Sequence, residues 1–220
     1  MRSTAKDGAA ARELVAALYL ELGRLGMCSA SSGNVSVRHS PGMLITASGV
    51  SAEQAMAARV AAMSLDGVAV AGPKPSSEWH LHAGIYEKFG AAKCIVHTHS
   101  DAATALACLN EGLPAFHYMI AGFGGALRCA PYETFGTREL ADATVAALAG
   151  RSACLLANHG MVVFGRDPAH ALGQAVLLET LCRQYLLARS AGRVRLLSAA
   201  EMRAAKARFK DYRPGGKADA

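Results

Sequence analysis

Residues 93–99, "KCIVHTH", decide how the middle of this chain folds. A short apolar run of this kind is typical of a buried strand. Side chains two residues apart leave the same face of a strand, so His97 and His99 can direct two imidazoles at one point. The spacing leaves two interpretations open, a metal site or two strand histidines held by hydrogen bonds.

Helical and strand patterns alternate on both sides of this strand. Helical spacing predicts helices over residues 9–25, 76–90, 101–109, 137–150 and 167–192. Strand patterns occur at 34–38, 43–46, 127–131, 153–158 and 161–165, with a hairpin around Asp66-Gly67. Helices suited to both faces of a sheet predict a three-layer α/β/α fold with a central, mainly antiparallel sheet. We expect one domain over residues 1–220, with a flexible tail from about residue 213.

Composition narrows the class of partner. The net charge is +6, but the lysines and arginines are scattered and do not alternate with aromatic residues, which argues against a nucleic-acid partner. A modest basic excess suits a small anionic substrate such as a phosphorylated metabolite. The six cysteines stand singly, as expected in a reducing compartment. No signal peptide and no apolar run of about 18 residues is present, so we expect a cytoplasmic protein without a membrane partner.

Two further residues bear on the metal interpretation. His159, in "LLANHGMVV", lies between two strand patterns, where Gly160 lets the backbone turn. Alone it indicates a turn, but three histidines at strand ends are what an open metal site requires. Glu78 either complements the dipole of a helix start or supplies a carboxylate to the same site. His80 and His82, in contrast, lie about 200° apart on a helix and make a poor ligand pair.

Three short polar segments predict an anion site. Ser76 and Ser77 precede a predicted helix, where hydroxyls and free backbone N–H groups converge. Gly33-Asn34 and Ser48-Gly49 are polar turns with a flexible glycine, of the kind that holds phosphate.

Six motifs together resemble a known family. "SGNVSVR", "PSSEW", "VHTHS", "HYMIAGFGG", "CAPYETFGTREL" and "NHG", in this order, are similar to the class II aldolase/adducin family, and most to its aldolases of L-fuculose 1-phosphate. The resemblance covers about residues 10–190. It departs at Gly122-Phe123, which stand where those aldolases carry small alanines. We therefore expect Phe123 to change the shape of the site where the aldehyde portion of the substrate binds.

The resemblance implies a role for each site residue. Zn²⁺, with another divalent metal as the alternative, would be held by His97, His99 and His159, and Glu78 would be both a ligand and an acid/base. The substrate phosphate would be held by Asn34, Ser48, Gly49, Ser76 and Ser77. Phe135 would line the aldehyde pocket. Tyr118 and a C-terminal tyrosine, Tyr212, would be catalytic groups that reach a neighbouring subunit's site in a homotetramer.

The implied activity is reversible cleavage of a ketose 1-phosphate to dihydroxyacetone phosphate and an aldehyde. Three alternatives stay open. A ribulose-5-phosphate 4-epimerase uses the same three histidines but usually carries an aspartate where Glu78 stands. A decarboxylase of a 3-oxo-tetronate 4-phosphate would pass through similar chemistry. An adducin-like interaction module would bind no metal.

Overall fold

Eight strands form one sheet in the computed structural model, which describes the backbone of residues 2–211 and the side chains of residues 8–209. The strands are β1 (Asn34–His39), β2 (Gly42–Thr46), β3 (Val60–Met63), β4 (Ala69–Ala71), β5 (Cys94–Thr98), β6 (Cys129–Ala130), β7 (Ala153–Leu156) and β8 (Gly160–Gly165). Their order is β4-β3-β2-β1-β5-β8-β7-β6, and every neighbouring pair is antiparallel except β6 with β7. The largely antiparallel sheet is confirmed.

Within residues 2–211, six α-helices accompany the sheet. They are α1 (Arg2–Arg24), α2 (Trp79–Lys88), α3 (Asp101–Ala107), α4 (Arg138–Ala147), α5 (Pro168–Ala191) and α6 (Ala199–Asp211). Short 3-10 helices lie at Ala52–Gln54, Ala57–Arg59 and Tyr118–Phe123. Within residues 2–211, none of the helices combines the length and the apolar character needed to cross a bilayer.

Alternation along the strands creates two separate hydrophobic cores. Cys94 and Val96 of β5 pack with residues of α1, α3 and α5, whereas Ile95 packs on the other face with α2 and α4. Successive strand residues point to opposite faces, so a buried strand contributes to both cores. The molecule therefore has the three layers predicted, with the sheet in the middle.

Helix α5 begins where its capping residues predict, whereas α2 begins later than its sequence pattern predicts. Asp167 caps α5 by accepting a hydrogen bond from the backbone N–H of His170 at 2.7 Å, and Pro168 is the first helical residue. Helix α2 begins at Trp79 rather than at Ser76, because the N–H of Ser76 donates to the carbonyl of Thr46 at 3.0 Å. That bond holds the two serines beside the end of β2 instead of in the helix.

Candidate metal centre and active site

Two adjacent strands bring the three histidines together. His97 lies in β5, His99 directly follows β5, and His159 directly precedes β8. The antiparallel register pairs His97 with Val162 and Thr98 with Met161, so the end of β5 lies beside the start of β8. The three imidazole centroids are 4.7–4.9 Å apart, and the rings are inclined to one another by 71–77°. Three rings thus surround one point.

Gly160 permits this close approach. A Cβ at this position would lie 2.3 Å from the carbonyl oxygen of Thr98 and 3.1 Å from the ring of His99. Real Cβ atoms do not come that close to backbone, so the strand contact at the site requires glycine.

The backbone sets the tautomer of His97, which is fully buried. Its Nδ1 lies 2.9 Å from the carbonyl oxygen of Met161. A carbonyl only accepts, so Nδ1 carries a hydrogen and Nε2 faces the other two rings. Nε2 of His97 lies 3.0 Å from Nε2 of His99. This arrangement, in which the second ring nitrogen is held by a carbonyl, is the usual one for a metal-binding histidine.

Glu78 completes the cluster from the residue just before α2. Its Oε2 lies 3.1 Å from Nε2 of His97, and its Oε1 lies 3.3 Å from Nε2 of His159. Among the described side chains, none donates a hydrogen bond to the buried Oε1. The donor atoms of Glu78, His97, His99 and His159 all lie within 4.8 Å of one another. A buried carboxylate oxygen without a hydrogen bond, facing three imidazole nitrogens, fits a divalent cation.

The electrostatics of the cluster agree with a ligand set. Burial acts to raise the pKa of Glu78, but the adjacent His97 and His159 lower that pKa well below its usual range. Burial acts to lower the pKa of His97, and the Glu78 carboxylate reverses the sign and raises it. Burial, with the two neighbouring imidazoles, lowers the pKa of His99 to about 4. Near neutral pH the cluster therefore offers a carboxylate and a neutral imidazole, the protonation states that bind metal.

A cavity of about 490 Å³ opens above this cluster. It brings together all five residues predicted to hold phosphate, the predicted aldehyde-pocket residue and three of the four metal ligands. The lining consists of Ser31, Ser32, Gly33, Asn34, Ala47, Ser48, Gly49, Ser76, Ser77, Glu78, His99, Tyr132, Glu133, Phe135, Asn158 and His159. His97, the fourth ligand, lies buried beneath it.

Two of the predicted anion turns meet at one wall of the cavity. The N–H of Ser48 donates to the carbonyl of Lys74 at 3.0 Å, and Ala47 forms an isolated bridge with Pro75. These bonds place the Ser48-Gly49 turn beside Ser76 and Ser77. Gly49 has φ +73°, a left-handed conformation that favours glycine.

Asn34 is engaged differently from the serines. Its Nδ2 donates to Oε2 of Glu78 at 2.8 Å, and its Oδ1 lies 2.5 Å from Nε2 of His82. The side chain borders the cavity, but both of its polar atoms are directed at protein partners.

One predicted site residue lies away from the cavity, another lies outside the described residues, and several residues of the cavity lining were not predicted. Tyr118 is absent from the lining; it is 53% exposed and stacks on Phe209 of α6 with centroids 6.0 Å apart. Tyr212 lies outside the described residues. Sequence reasoning did not select Tyr132, Glu133 or Asn158, although all three lie in or beside motifs that had been singled out. Adjacency to those motifs was the available signal.

Comparison with known proteins identifies the family of this chain. The model of the class II aldolase and adducin N-terminal domain matches residues 13–186. The chain belongs to the class II aldolase and adducin family. The matched span includes all four candidate metal ligands and the whole lining of the cavity.

Named relatives of this class II aldolase family member are similar along most of their length. A 5-methylthioribulose-1-phosphate/5-deoxyribulose-1-phosphate aldolase of Rhodospirillum rubrum is 41% identical over 189 residues, which is 86% of each chain. The L-fuculose phosphate aldolase of Escherichia coli strain K12 is 40% identical over 195 residues, covering 88% of this chain and 91% of that one. A solved L-fuculose 1-phosphate aldolase superposes with a TM-score of 0.89 at 34% identity, covering 92% and 97% of the two chains.

Proposed function

We propose that this protein is a metal-dependent aldolase that cleaves a ketose 1-phosphate reversibly between C3 and C4. The products are dihydroxyacetone phosphate and an aldehyde. The observation that carries the proposal is the convergence of three imidazoles and one carboxylate at a cavity whose wall holds the Ser48-Gly49 turn and Ser76-Ser77. The relatives named above, which are aldolases of ketose 1-phosphates, support the same reaction class.

The metal would be Zn²⁺, held by His97, His99 and His159 with Glu78 as a further ligand. Imidazole nitrogens and a carboxylate are a ligand set that zinc accepts. When bound, such a cation acts as a Lewis acid that stabilises the negative charge left on the substrate when a carbon–carbon bond breaks.

The phosphate end of the substrate would lie against Ser48, Gly49, Ser76 and Ser77. The backbone N–H groups of Ser48 and Ser76 already donate to carbonyls, so these two residues would contribute their hydroxyls to the phosphate oxygens. Anchoring the phosphate there fixes the distance between the substrate's reacting carbons and the histidine cluster, which lowers the entropic part of the barrier.

Glu78 is the group best placed to move a proton. Its carboxylate is anionic near neutral pH and lies at the border between the histidine cluster and the cavity. A base in that position can take the proton that C3 loses in the condensation direction and return it to C3 during cleavage.

We further propose a homotetramer in which subunits complete one another's sites. In each site, Tyr118 and Tyr212 of a neighbouring subunit would donate a proton to the aldehyde oxygen of the substrate or accept a proton from it. The exposure of Tyr118, and its absence from the lining of its own chain's cavity, support that arrangement. Phe135, 65% exposed on the cavity lining, would contact the aldehyde portion.

The test is an assay of purified, metal-analysed protein on a panel of ketose 1-phosphates. The panel contains L-fuculose 1-phosphate, 5-deoxyribulose 1-phosphate and 5-methylthioribulose 1-phosphate, and dihydroxyacetone phosphate is followed with and without a chelator. We expect chelator-sensitive release, and the fastest substrate identifies the aldehyde portion. Bound zinc without any dihydroxyacetone phosphate would contradict the proposal and favour an epimerase or a decarboxylase. Protein without stoichiometric metal would favour an interaction module.

A further inference from the structure

A line of buried polar side chains connects Glu78 to the protein interior. Beyond Asn34, which bonds Glu78, the next member is His82, whose Nε2 lies 2.5 Å from Oδ1 of Asn34. Nδ1 of His82 lies 2.7 Å from Oγ of Ser36, and that oxygen lies 2.9 Å from the hydroxyl of Tyr86. None of the five side chains belongs to a residue more than 6% exposed. Buried polar networks of this completeness are expensive unless every member has a partner, and here each has one.

The direction of every hydrogen bond in the line follows from Glu78. An anionic carboxylate only accepts, so Asn34 turns its NH₂ toward Glu78 and its carbonyl oxygen toward His82. His82 must then carry its hydrogen on Nε2, which leaves Nδ1 to accept from the hydroxyl of Ser36. Ser36 in turn accepts from the hydroxyl of Tyr86. All four bonds run head to tail toward the carboxylate.

Secondary structure makes the line rigid. Asn34 and Ser36 are two residues apart on β1 and share a face, while His82 and Tyr86 are one turn apart on α2. Asn34 is also the strand partner of His97. The line therefore fixes α2, which Glu78 directly precedes, against β1, the neighbour of the strand that carries His97.

We propose that His82 is a positioning residue for Glu78. By holding the amide of Asn34 in one orientation, it directs Oε2 of Glu78 and leaves Oε1 toward the imidazole cluster. If the N–H of His82 were removed, the amide of Asn34 could rotate, and Glu78 would lose its fixed donor. The functional meaning of this role rests on the aldolase function proposed above, whereas its effect on the metal site can be measured without it.

Zinc affinity is the primary measurement, obtained by competition with a chelator of known affinity. We expect His82→Leu to bind zinc about 10- to 100-fold more weakly, because it frees Asn34, and loss of the direct hydrogen-bond partner of a metal ligand has an effect of this size. His82→Gln should recover most of that loss, because its amide NH₂ can donate to Asn34 as Nε2 does. In the aldolase assay His82→Leu should lower kcat with little change in KM, since the Ser48-Gly49 turn and Ser76-Ser77 are untouched.

Thr144→Val is the matched control. Thr144 is a fully buried residue of α4 whose hydroxyl has no hydrogen-bond partner among the described residues. This variant should keep wild-type zinc affinity. If His82→Leu fails to fold, Ser36→Ala replaces it, with an expected loss of about tenfold in zinc affinity, the lower end of the same range.

Unchanged zinc affinity in folded His82→Leu, or in Ser36→Ala where that variant stands in, would overturn the positioning role. Equal weakening in His82→Gln and His82→Leu would also overturn it, because a donor to Asn34 would then be irrelevant. The two proposals fail separately. A wild-type protein that binds zinc but releases no dihydroxyacetone phosphate refutes the aldolase function and leaves the zinc comparison valid.

Discussion

The residues of the candidate metal centre have different chemical properties although they lie within a few ångströms of one another. His97, His99 and His159 offer imidazole nitrogens, while Glu78 carries the negative charge and borders the cavity. Removing a donor and removing a charge should therefore have separable effects.

The first prediction separates them. His97→Ala should lose both zinc and activity, whereas Glu78→Gln should keep zinc through its remaining oxygen and lose about 10²- to 10⁴-fold in kcat. Zinc content and kcat of each variant provide the measurement, with Glu87→Gln, which changes an exposed carboxylate near the end of α2, as control. Full turnover in Glu78→Gln would remove that residue from the proton transfer.

The second prediction concerns pH and His82. Burial, with the nearby His97, lowers the pKa of His82 to about 3 from the ordinary 6.5. Below pH 6.5 the unfolded chain binds a proton at this residue that the folded chain does not, so the folded state loses stability as the pH falls toward 3. The slope is about 1.4 kcal/mol per pH unit for one proton.

Denaturant unfolding of the metal-free protein between pH 4.5 and 7.5 checks this dependence. His82→Gln has no proton to gain, so its free energy of unfolding should fall less steeply with decreasing pH than that of the wild type. Parallel curves would show that His82 does not contribute to the acid sensitivity.

Residue-level prediction from sequence succeeded where a short spacing carried the information. The alternation of a strand predicted that His97 and His99 share a face, and the glycine after His159 predicted a turn. Helical spacing also predicted that His80 and His82 point apart, and in the structure His82 is buried whereas His80 is only half-buried. Spacing could not identify Asn34 as the hydrogen-bond partner of His82, because Asn34 lies on a distant strand and the contact exists only after α2 packs on β1.

Elements position the site through their ends. Helix α3 starts two residues after His99, and its first N–H groups need acceptors. The buried carboxylate of Glu179 on α5 supplies them, accepting from Ala102 and Ala103 at 2.9 Å each.

Glu179→Ala should therefore lower the free energy of unfolding by about 2–4 kcal/mol, because two buried N–H groups lose a charged acceptor. Chemical denaturation measures this loss. Arg183→Ala removes the exposed ion-pair partner of the same carboxylate and should cost less than about 1 kcal/mol. Similar losses in the two variants would argue that the ion pair, rather than the helix start, is what Glu179 stabilises.

Alanine substitutions at Gly160 and Gly173 should change the free energy of unfolding in opposite directions. Gly160→Ala should lower the free energy of unfolding by about 1–3 kcal/mol and weaken zinc binding, since its Cβ would push β8 away from β5. Gly173 is exposed inside α5, and no atom lies within 4 Å of an added Cβ. Gly173→Ala should raise the free energy of unfolding by about 1 kcal/mol through helix propensity. A stable, zinc-replete Gly160→Ala protein would contradict the tight strand contact.

Element boundaries show where local patterns stop being sufficient. The caps of α4 and α5 were predictable because Thr137 and Asp167 act on residues three positions away. The late start of α2 was not predictable, because it depends on the bond between Ser76 and Thr46 across the fold. The early start of α1 was missed because its first residues lack an apolar period.

At the scale of the whole molecule, Tyr118 and the histidine cluster should meet only between subunits. Tyr118→Phe and His97→Ala proteins, each inactive or impaired alone, should recover activity when unfolded together and reassembled. In a ring with random assortment, roughly a quarter of the sites would combine an intact cluster with an intact neighbouring tyrosine. Activity and the mass of the assembly are measured together. Hybrid oligomers without recovered activity would mean that one chain builds the whole site.

The layers of the molecule were predictable, but the order of the strands was not. Helical and strand patterns with apolar residues on suitable faces are enough to indicate α/β/α layering. The placement of β5 between β1 and β8 joins strands that are far apart in the chain. No local pattern specifies such pairings, since they arise from packing of the complete chain.

That strand order has a consequence for the order of events during synthesis. The candidate metal ligands lie just before α2, at the end of β5 and just before β8, and β8 must insert between β5 and β7 before His159 reaches the other histidines. A nascent chain that ends before His159 carries two of the three imidazoles and cannot hold a cation as the finished site can. Metal uptake should therefore be a late step, and a zinc-loaded chain is one in which the centre of the sheet has already closed.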